Sequence, residues 1–358
     1  MSLLRLPGMI DVHVHFRDPG ATYKEDFFTG TSAALAGGVT MILDMPNNPL
    51  PTISNSALQQ KEKIAKAKAV CDYGFVFGAS QFDNTQEFKK VIPKVAALKV
   101  YMDQTTGTLL IENLKLLEKI FAKWESDKPI MVHAEAGTLA KAITLAYLYK
   151  RHLHCCHVSL QEEVELIKRA KEQGIKVTAE VTPHHLFLTD KDQKKLGPFG
   201  IMKPPLRSKG DVDALWRGIK KGVIDIVATD HAPHTKEEKE AGKPVFGVPG
   251  LETALPLLLN SVYEKRLNLD EVVKLYHDNP RKIFSLPKQP NTFIEVDLDN
   301  KWKIQNKNLQ TKCGWSPFAG WKVYGKVASV VIRGKTVYKD GKIFSEPGNG
   351  RNVKTSKH

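Results

Sequence analysis

The alternation of short apolar runs with helix-like stretches constrains the fold of this chain more than any other feature of its sequence. Eight runs rich in β-branched and other apolar residues alternate with amphipathic segments over about 280 residues. This alternation predicts an α/β fold, either a (β/α)8 barrel or a doubly wound open sheet. The candidate strands are residues 9–15, 40–44, 72–77, 97–101, 130–133, 154–157, 177–181 and 224–229.

Chemically reactive side chains recur at the C-terminal ends of these runs, and they decide between the two folds. His13 and His15 end the first run, His133 and His157 end later ones, and Asp230 follows the last. In a (β/α)8 barrel the C-terminal ends of all eight strands meet around one site. The sequence therefore predicts a TIM-type barrel with a site at that face.

The last part of the chain has the alternation of β-strands with turn signals between them. Residues 292–298, 302–305 and 325–337 are candidate strands, and Asp340-Gly341 is typical of a hairpin turn. We expect a barrel over residues 1–288, a small C-terminal β subdomain over 289–345 and a frayed end over 346–358.

Charge limits the classes of partner. The 358 residues carry a formal net charge of +14, from 53 Lys and Arg against 39 Asp and Glu. The lysines are scattered among acids, and no basic stripe with interleaved aromatic residues is present, so we expect no nucleic-acid partner. A positive field of this kind attracts a small anionic substrate.

Cysteine usage and hydropathy predict the compartment. The four cysteines have no paired spacing, which suits a reducing environment. The N-terminal segment is too short and broken for a signal peptide, and no apolar run approaches the roughly 18 residues of a membrane helix. We expect a cytoplasmic protein without membrane contact.

His13 and His15 lie two residues apart on the first candidate strand. Side chains at i and i+2 of a strand point the same way, so the two imidazoles project together and can form half of a zinc site. Arg17 lies two residues after His15, so its side chain points the same way and can bind an anionic substrate. The alternative is a surface strand with two polar residues.

Lys99 lies inside an apolar strand, where a charged and unpaired amine is unfavourable. One interpretation is a lysine that extends its amine to water. The other is a neutral amine that has reacted with carbon dioxide, giving a carbamate able to bridge two metals.

A single histidine at a strand end is more often a structural hydrogen-bonding group than a ligand. Four histidines, one lysine and one aspartate, in order along one barrel-like chain, are instead the ligand set expected of a two-zinc hydrolytic site. They are His13, His15, Lys99, His133, His157 and Asp230.

Several motifs together resemble the amidohydrolase superfamily and, within it, the dihydroorotases, over nearly the whole chain. Arg17 together with Asn47 favours this branch. Within it, the chain is most similar to the dihydroorotase domain of the multifunctional animal-type protein of pyrimidine synthesis. The matching segments are DVHVHFRDPG (11–20), MPNN (45–48), Lys99, HAE (133–135), CHV (156–158), TPHH (182–185), TDHAPH (229–234) and FGVPGLET (246–253).

The resemblance implies a role for each metal ligand. His13, His15 and Asp230 would hold one zinc, His133 and His157 a second, and carboxylated Lys99 would bridge them. Asp230 would also be the general acid and base for attack by a metal-bridging hydroxide.

A third zinc on Cys156 and Glu180 is also implied by the resemblance. The alternative is a buried thiol and a satisfied strand-end carboxylate.

The resemblance also assigns substrate contacts. Arg17, Asn47 and His234 would bind the substrate carboxylate, and backbone groups near Pro249 and Gly250 would meet the ring.

Thr105 matches a substrate-contacting threonine on a mobile loop. The chain departs from the family pattern at Lys203, where the animal-type pattern has arginine, and at Thr106, where it has phenylalanine. Lysine can pair with a carboxylate but not as a planar fork.

The resemblance implies the reversible cyclisation of N-carbamoyl-L-aspartate to L-dihydroorotate, the third step of pyrimidine synthesis. The alternatives are another cyclic-amide hydrolase, such as a hydantoinase or allantoinase, and an inactive scaffold. The expected partners are the small-molecule substrate, a second copy in a homodimer, and neighbouring carbamoyl-phosphate synthetase and aspartate transcarbamoylase domains.

Overall fold

The computed structural model describes residues 3–354 and contains two β-sheets. The strands are β1 (Leu4–Pro7), β2 (Met9–Val14), β3 (Val39–Asp44), β4 (Asp72–Gly78), β5 (Ala97–Tyr101), β6 (Ile130–His133), β7 (Leu153–Cys155), β8 (Val177–Val181), β9 (Ile226–Val227), β10 (Phe293–Lys303), β11 (Lys322–Ile332), β12 (Lys335–Lys339) and β13 (Lys342–Ile343).

Helices connect the barrel strands and surround them. The α-helices are α1 (Phe27–Ala36), α2 (Asn55–Lys68), α3 (Phe88–Val91), α4 (Leu114–Lys123), α5 (Ala136–Tyr149), α6 (Gln161–Glu172), α7 (Pro183–Phe187), α8 (Asp190–Leu196), α9 (Lys209–Lys220), α10 (Lys236–Glu240), α11 (Leu251–Tyr263), α12 (Leu269–Val273) and α13 (Asn279–Ile283). A π-helical turn, Lys274–Asp278, joins the last two helices.

The larger sheet is a nearly closed parallel barrel. Its eight strands follow the chain order from β2 to β9. Strands β2, β3 and β4 are buried along their whole length, as expected where both faces of a parallel sheet are covered. A parallel bridge joins Val14 to His231, just beyond β9, and brings the ends of the first and last strands together. The predicted (β/α)8 barrel is confirmed.

The helices form where the sequence supplies a cap and one apolar face. The Ser54 side chain accepts a hydrogen bond from the backbone N–H of Ala57 and begins α2. Helix α4 buries Leu117, Ile120 and Phe121, which lie on one side of the helix and pack against the barrel. This geometry leaves the strand ends and their loops free to form a site.

The smaller sheet is antiparallel and includes the start of the chain. Its order is β1-β10-β11-β12-β13. Strand β1 pairs with β10 in a register that sets Leu4 opposite Val296 and Leu6 opposite Ile294. The sequence predicts that the small β subdomain contains only residues after 288. In the structure, residues 4–7 also belong to its sheet, because they pair with the edge of β10. The boundary near residue 288 stays a prediction.

The segment from 346 to 354 is docked on the barrel, so the prediction that it frays is wrong for these residues. The backbone N–H of Gly350 donates to the Ala69 carbonyl at 2.9 Å. Tyr73 donates to the Arg351 carbonyl and accepts from the Val353 N–H, each at 2.9 Å. These backbone bonds, and burial of Val353, anchor a segment whose composition is polar. Residues 355–358 lie outside the described part.

All four cysteines are buried and free. No helix within residues 3–354 is both long and apolar enough to span a bilayer. The four free thiols agree with the lack of paired cysteine spacing in the sequence.

Candidate active site

A small cavity that is partly open to solvent lies at the C-terminal end of the barrel strands. It brings together residues from both halves of the chain, as the sequence predicted for this face. The lining residues are His15, Arg17, Asn47, Thr105, Thr106, Lys203, Asp230, Ala232, Phe246 and Gly247.

A first group of ligand atoms is formed by β2 and the segment after β9. The Asp230 Oδ1 atom lies 2.9 Å from Nε2 of His15 and 3.4 Å from Nε2 of His13. Asp11 supports this group, since its carboxylate accepts the backbone N–H groups of His13 and Thr229. The first and last barrel strands are thereby fixed to each other directly beneath the site.

The protonation states of this group follow from burial and from the neighbouring charges. Burial by itself raises the pKa of Asp230, but His13 and His15 outweigh it and hold that pKa well below its usual range. Burial lowers the pKa of His15 to about 4, although Asp230 opposes the shift. An ionised carboxylate and a neutral imidazole therefore face each other, and both are forms that bind metals.

A second group consists of His13, Cys156 and Glu180, whose ligand atoms lie within 4.8 Å of one another. The Glu180 carboxylate contacts Nδ1 of His13, accepts the His157 backbone N–H at 3.2 Å and lies 3.1 Å from Nε2 of His154. Burial raises the pKa of Glu180, but His13 and His154 outweigh it and hold that pKa well below its usual range.

His133 and His157 face each other across the ends of neighbouring strands. Nδ1 of His133 lies 2.8 Å from Nε2 of His157. The other nitrogen of each ring is buried and has no hydrogen-bond partner among residues 3–354. Burial, reinforced by Lys99, lowers the pKa of His133 to about 3, so its ring is neutral. Buried imidazoles with unused nitrogens are unusual unless a ligand completes them.

Lys99 is fully buried between these groups. Its Nζ atom lies 2.9 Å from Sγ of Cys156 and 5.2 Å from the ring centre of Tyr101. No carboxylate within residues 3–354 forms an ion pair with it. A buried ammonium without an anionic partner is unfavourable, whereas a neutral amine, or a carbamate anion paired with metal cations, is not.

The donor set fits a divalent metal of the zinc type. Imidazole nitrogens, carboxylate oxygens and one thiol converge from four different strand ends, and nitrogen, oxygen and sulfur are the ligands that zinc prefers. The unused ring nitrogens point to the same conclusion.

The opposite side of the cavity is basic. The Arg17 guanidinium donates from Nε to the Pro233 carbonyl at 3.0 Å and lies 3.2 Å from Nε2 of His234 through Nη2. The Lys203 Nζ atom lies 4.7 Å from the ring centre of Phe246. Two cations thus line the cavity together with the Asn47 amide.

Asn47 connects the metal side of the cavity to the loop above it. Its Oδ1 atom lies 2.7 Å from Nδ1 of His15, and its Nδ2 group donates to the Thr106 carbonyl at 3.1 Å. Thr105 and Thr106 both line the cavity, so this loop covers the site.

Three of the predicted substrate contacts lie outside the cavity lining. His234 contacts Arg17 from behind. Pro249 and Gly250 line a separate, small pocket, so the prediction that they meet the substrate ring stays a prediction. The Gly250 N–H donates to Nδ1 of His231 at 3.1 Å. Gly247 of the same segment lines the cavity.

The sequence interpretation missed several residues that shape the site. Phe246, Gly247 and Ala232 line the cavity; all three lie in motifs that carry the family resemblance, but the resemblance assigned none of them a role. His185 bonds to the Pro204 carbonyl at 3.0 Å and so fixes the segment that carries Lys203. His185 and Pro204 are 19 residues apart in the sequence, so no local pattern signals their contact.

Comparison with known proteins agrees with this geometry. Residues 4–337 match the amidohydrolase family. Multifunctional protein CAD of Squalus acanthias is 48% identical over 354 residues, which are 99% of this chain and 16% of that protein. Dihydroorotase of Pyrococcus furiosus is 36% identical, with 99% of this chain and 86% of that protein covered. The chain thus spans about a sixth of the multifunctional relatives it matches.

Solved structures give the same fold. L-hydantoinase (dihydropyrimidinase) from Arthrobacter aurescens superposes with a TM-score of 0.93 at 27% identity, covering 98% of this chain and 89% of that one. The inactive dihydroorotase-like domain of a Chaetomium thermophilum CAD-like multifunctional protein gives 0.84 at 28% identity, covering 99% and 100%. From its sequence match and its relatives, the chain belongs to the amidohydrolase family and, within it, to the dihydroorotases.

Proposed function

We propose that this chain is a zinc-dependent dihydroorotase, which interconverts N-carbamoyl-L-aspartate and L-dihydroorotate. The observation that carries the proposal is the cavity that His15 and Asp230, two members of the His13, His15 and Asp230 group, line together with Arg17, Asn47 and Lys203. Such a cavity suits a cyclic amide that carries a carboxylate on its ring.

The basic side of the cavity supports the choice of substrate. A carboxylate bound between Arg17 and Asn47 forms charge-assisted hydrogen bonds, which are about twice as strong as neutral ones. Lys203 adds a second positive charge to the lining of the same cavity. A hydantoin or dihydrouracil ring without a carboxylate would leave these cations unpaired.

The metal side supports hydrolysis. We assign one zinc to His13, His15 and Asp230 and a second to His133 and His157. Zinc at such a site supplies a Lewis acid and lowers the pKa of water that it binds. Both are needed to hydrolyse an unactivated ring amide near neutral pH.

Asp230 is the proposed general acid and base. Its carboxylate, held ionised by His13 and His15, accepts the proton of the attacking water and returns it to the ring nitrogen as the C–N bond breaks. In the biosynthetic direction the same carboxylate removes a proton from the ureido nitrogen as that nitrogen bonds to the carbon of the protonated side-chain carboxyl group. It returns the proton to the departing hydroxyl as the C–O bond breaks, so that water leaves and the carboxylate is ionised again.

We propose that Lys99 would be carboxylated and would then serve, with the histidines and Asp230, as an anionic ligand that holds the metals. Its complete burial without an ion-pair partner among the described residues supports this. We also propose that Cys156 and Glu180 would hold a third zinc. The closeness of their ligand atoms to a ring nitrogen of His13 supports this.

The loop that carries Thr105 and Thr106 is the proposed cover of the site. Its contact with Asn47 ties its closed position to the residue proposed to bind the carboxylate. Exclusion of water by such a loop strengthens the electrostatic contacts beneath it.

We also propose the partners and the location of this chain from its resemblance to much longer relatives. The proposed partners are a second copy in a homodimer and neighbouring carbamoyl-phosphate synthetase and aspartate transcarbamoylase domains, and the proposed location is the cytoplasm. An inactive domain of the same fold exists among the relatives, so the fold alone does not establish activity. The proposal rests instead on the metal-ligand group.

The test compares three cyclic amides on one zinc-loaded preparation. We expect dihydroorotate to be hydrolysed with a kcat/KM at least a hundredfold above that of 5,6-dihydrouracil or hydantoin, since only dihydroorotate has the carboxylate. Preference for either uncharged ring would replace the proposal with the hydantoinase alternative. No turnover of any of the three would favour the inactive scaffold.

A further inference from the structure

Lys61 is a fully buried lysine on a helix whose other lysines lie nearer the surface. Helix α2 buries three side chains, at Leu58, Lys61 and Ala65, which share one face. Lys61 therefore occupies a core position, where an aliphatic residue is expected. A buried charge of this kind persists only with good partners, and its partners lie beside the candidate active site.

The Lys61 ammonium contacts three oxygen atoms, two through hydrogen bonds and one through an ion pair. Nζ lies 2.5 Å from Oδ2 of Asp44, and it donates to the Met45 carbonyl and to Oδ1 of Asn48, each at 2.7 Å. All three acceptors belong to the end of β3 and the loop that follows. Lys61 thus holds that loop in one conformation, because loss of any one contact leaves a buried polar group unpaired.

Asp44 and Asn48 in turn hold the backbone of Phe16. The Phe16 N–H donates to Oδ1 of Asp44, and the Phe16 carbonyl accepts from Nδ2 of Asn48, both at 2.7 Å. We call these two contacts the Phe16 clamp. Lys61 contacts both residues of the clamp, so it sets the distance between the loop after β3 and the end of β2.

The clamp lies between the residues that face the substrate. Phe16 separates His15 from Arg17, and Asn47 lies directly before Asn48 in the loop. His15, Arg17 and Asn47 all line the cavity. A shift of the clamp therefore changes the spacing between the guanidinium and the amide on which the proposed carboxylate site depends.

We propose that Lys61 is a positioning residue, which through the Phe16 clamp fixes the spacing of Arg17 and Asn47. Lys61 itself does not line the cavity. This inference rests on the proposed function for its effect on substrate, but its effect on the clamp can be measured without any substrate.

The first variant is Lys61→Met, with Lys66→Met as the matched control on the exposed side of the same helix. Because Lys61→Met leaves Asp44 buried without its cation, a second variant, Lys61→Met with Asp44→Asn, removes both charges. The double variant decides the question if the single one does not fold.

The first readout is hydrogen–deuterium exchange of the peptides that contain residues 14–18 and 45–48, on zinc-loaded protein. We expect exchange at least tenfold faster in the folded Lys61 variant and unchanged exchange in Lys66→Met. The second readout is dihydroorotate hydrolysis, for which we expect KM to rise about tenfold or more while kcat changes less than threefold and zinc content stays the same.

A purely structural role would lower the melting temperature without changing KM or the exchange of these two peptides. A folded Lys61 variant with wild-type exchange and wild-type KM overturns the inference. If the wild-type chain does not hydrolyse dihydroorotate, the proposed function fails, and the exchange measurement still decides whether Lys61 holds the clamp.

Discussion

The Nε2 atom of His15 lies 2.9 Å from the Oδ1 atom of Asp230, so the first and last strands of the barrel meet in one contact at the centre of the site. Both side chains line the cavity that also contains the basic residues. The proposed chemistry depends on this contact, because it keeps the carboxylate ionised and next to the metal ligands.

Asp230→Asn tests the proton transfer. Asparagine keeps the shape of the side chain but cannot accept the proton, so we expect kcat to fall by roughly a thousandfold. The melting temperature should stay within a few degrees of wild type. Asp213→Asn, at an exposed carboxylate on α9, is the control. An Asp230→Asn enzyme with near-normal kcat would exclude this role.

Lys99→Ala tests the bridging carbamate. Loss of the bridge should abolish turnover and reduce bound zinc to about one per chain or less, because the two proposed metals no longer share a ligand. Elemental analysis and the dihydroorotate assay on the same sample measure both effects. Two bound zinc ions together with retained activity would show that Lys99 is not the bridge.

Lys203→Met tests the second cation of the cavity. Methionine keeps the length of the side chain and its contact with Phe246 but removes the charge, so we expect KM for dihydroorotate to rise about tenfold. Zinc content should not change, since Lys203 belongs to neither ligand group. An unchanged KM would remove Lys203 from the substrate site. Lys195→Met, at an exposed lysine, is the control.

His185→Gln tests a pH effect on stability. Burial lowers the pKa of His185 to about 4, although its bond to the Pro204 carbonyl opposes the shift. Above pH 6.5 the ring is neutral in both states. Between pH 6.5 and 4 the unfolded chain binds a proton that the folded chain does not, so folding stability is lost as pH falls.

This linkage predicts that His185 accounts for about 2 kcal/mol of the stability lost between pH 7 and pH 5. Denaturant unfolding at the two pH values, for wild type and His185→Gln, gives the difference. The variant should lose less stability on acidification. Equal losses in the two proteins would mean that His185 is not held neutral.

The barrel and much of the site could be predicted because their signals are local. The i, i+2 spacing of His13 and His15 puts both rings on one face of a strand, and Lys99 is conspicuous within an apolar run. The common position of these residues at strand ends then follows from the topology of a parallel barrel.

Other features depend on contacts between distant segments, which periodicity does not reveal. Lys61 has the pattern of a surface lysine on a polar helix, yet Asp44 and the loop after β3 hold it in the core. Gly250 lines a separate pocket, where its N–H bonds to His231. The segment near Val353 has a polar composition and is anchored by backbone bonds to Tyr73 instead.

The central claim is a zinc site that performs dihydroorotate hydrolysis. The most direct measurement removes the metal with a chelator, restores it with zinc alone, and records zinc per chain and turnover of dihydroorotate on the same sample. The account predicts two or three zinc ions per chain, loss of turnover in the stripped protein and recovery on reconstitution. Full turnover without bound metal, or full zinc occupancy without turnover, would contradict it.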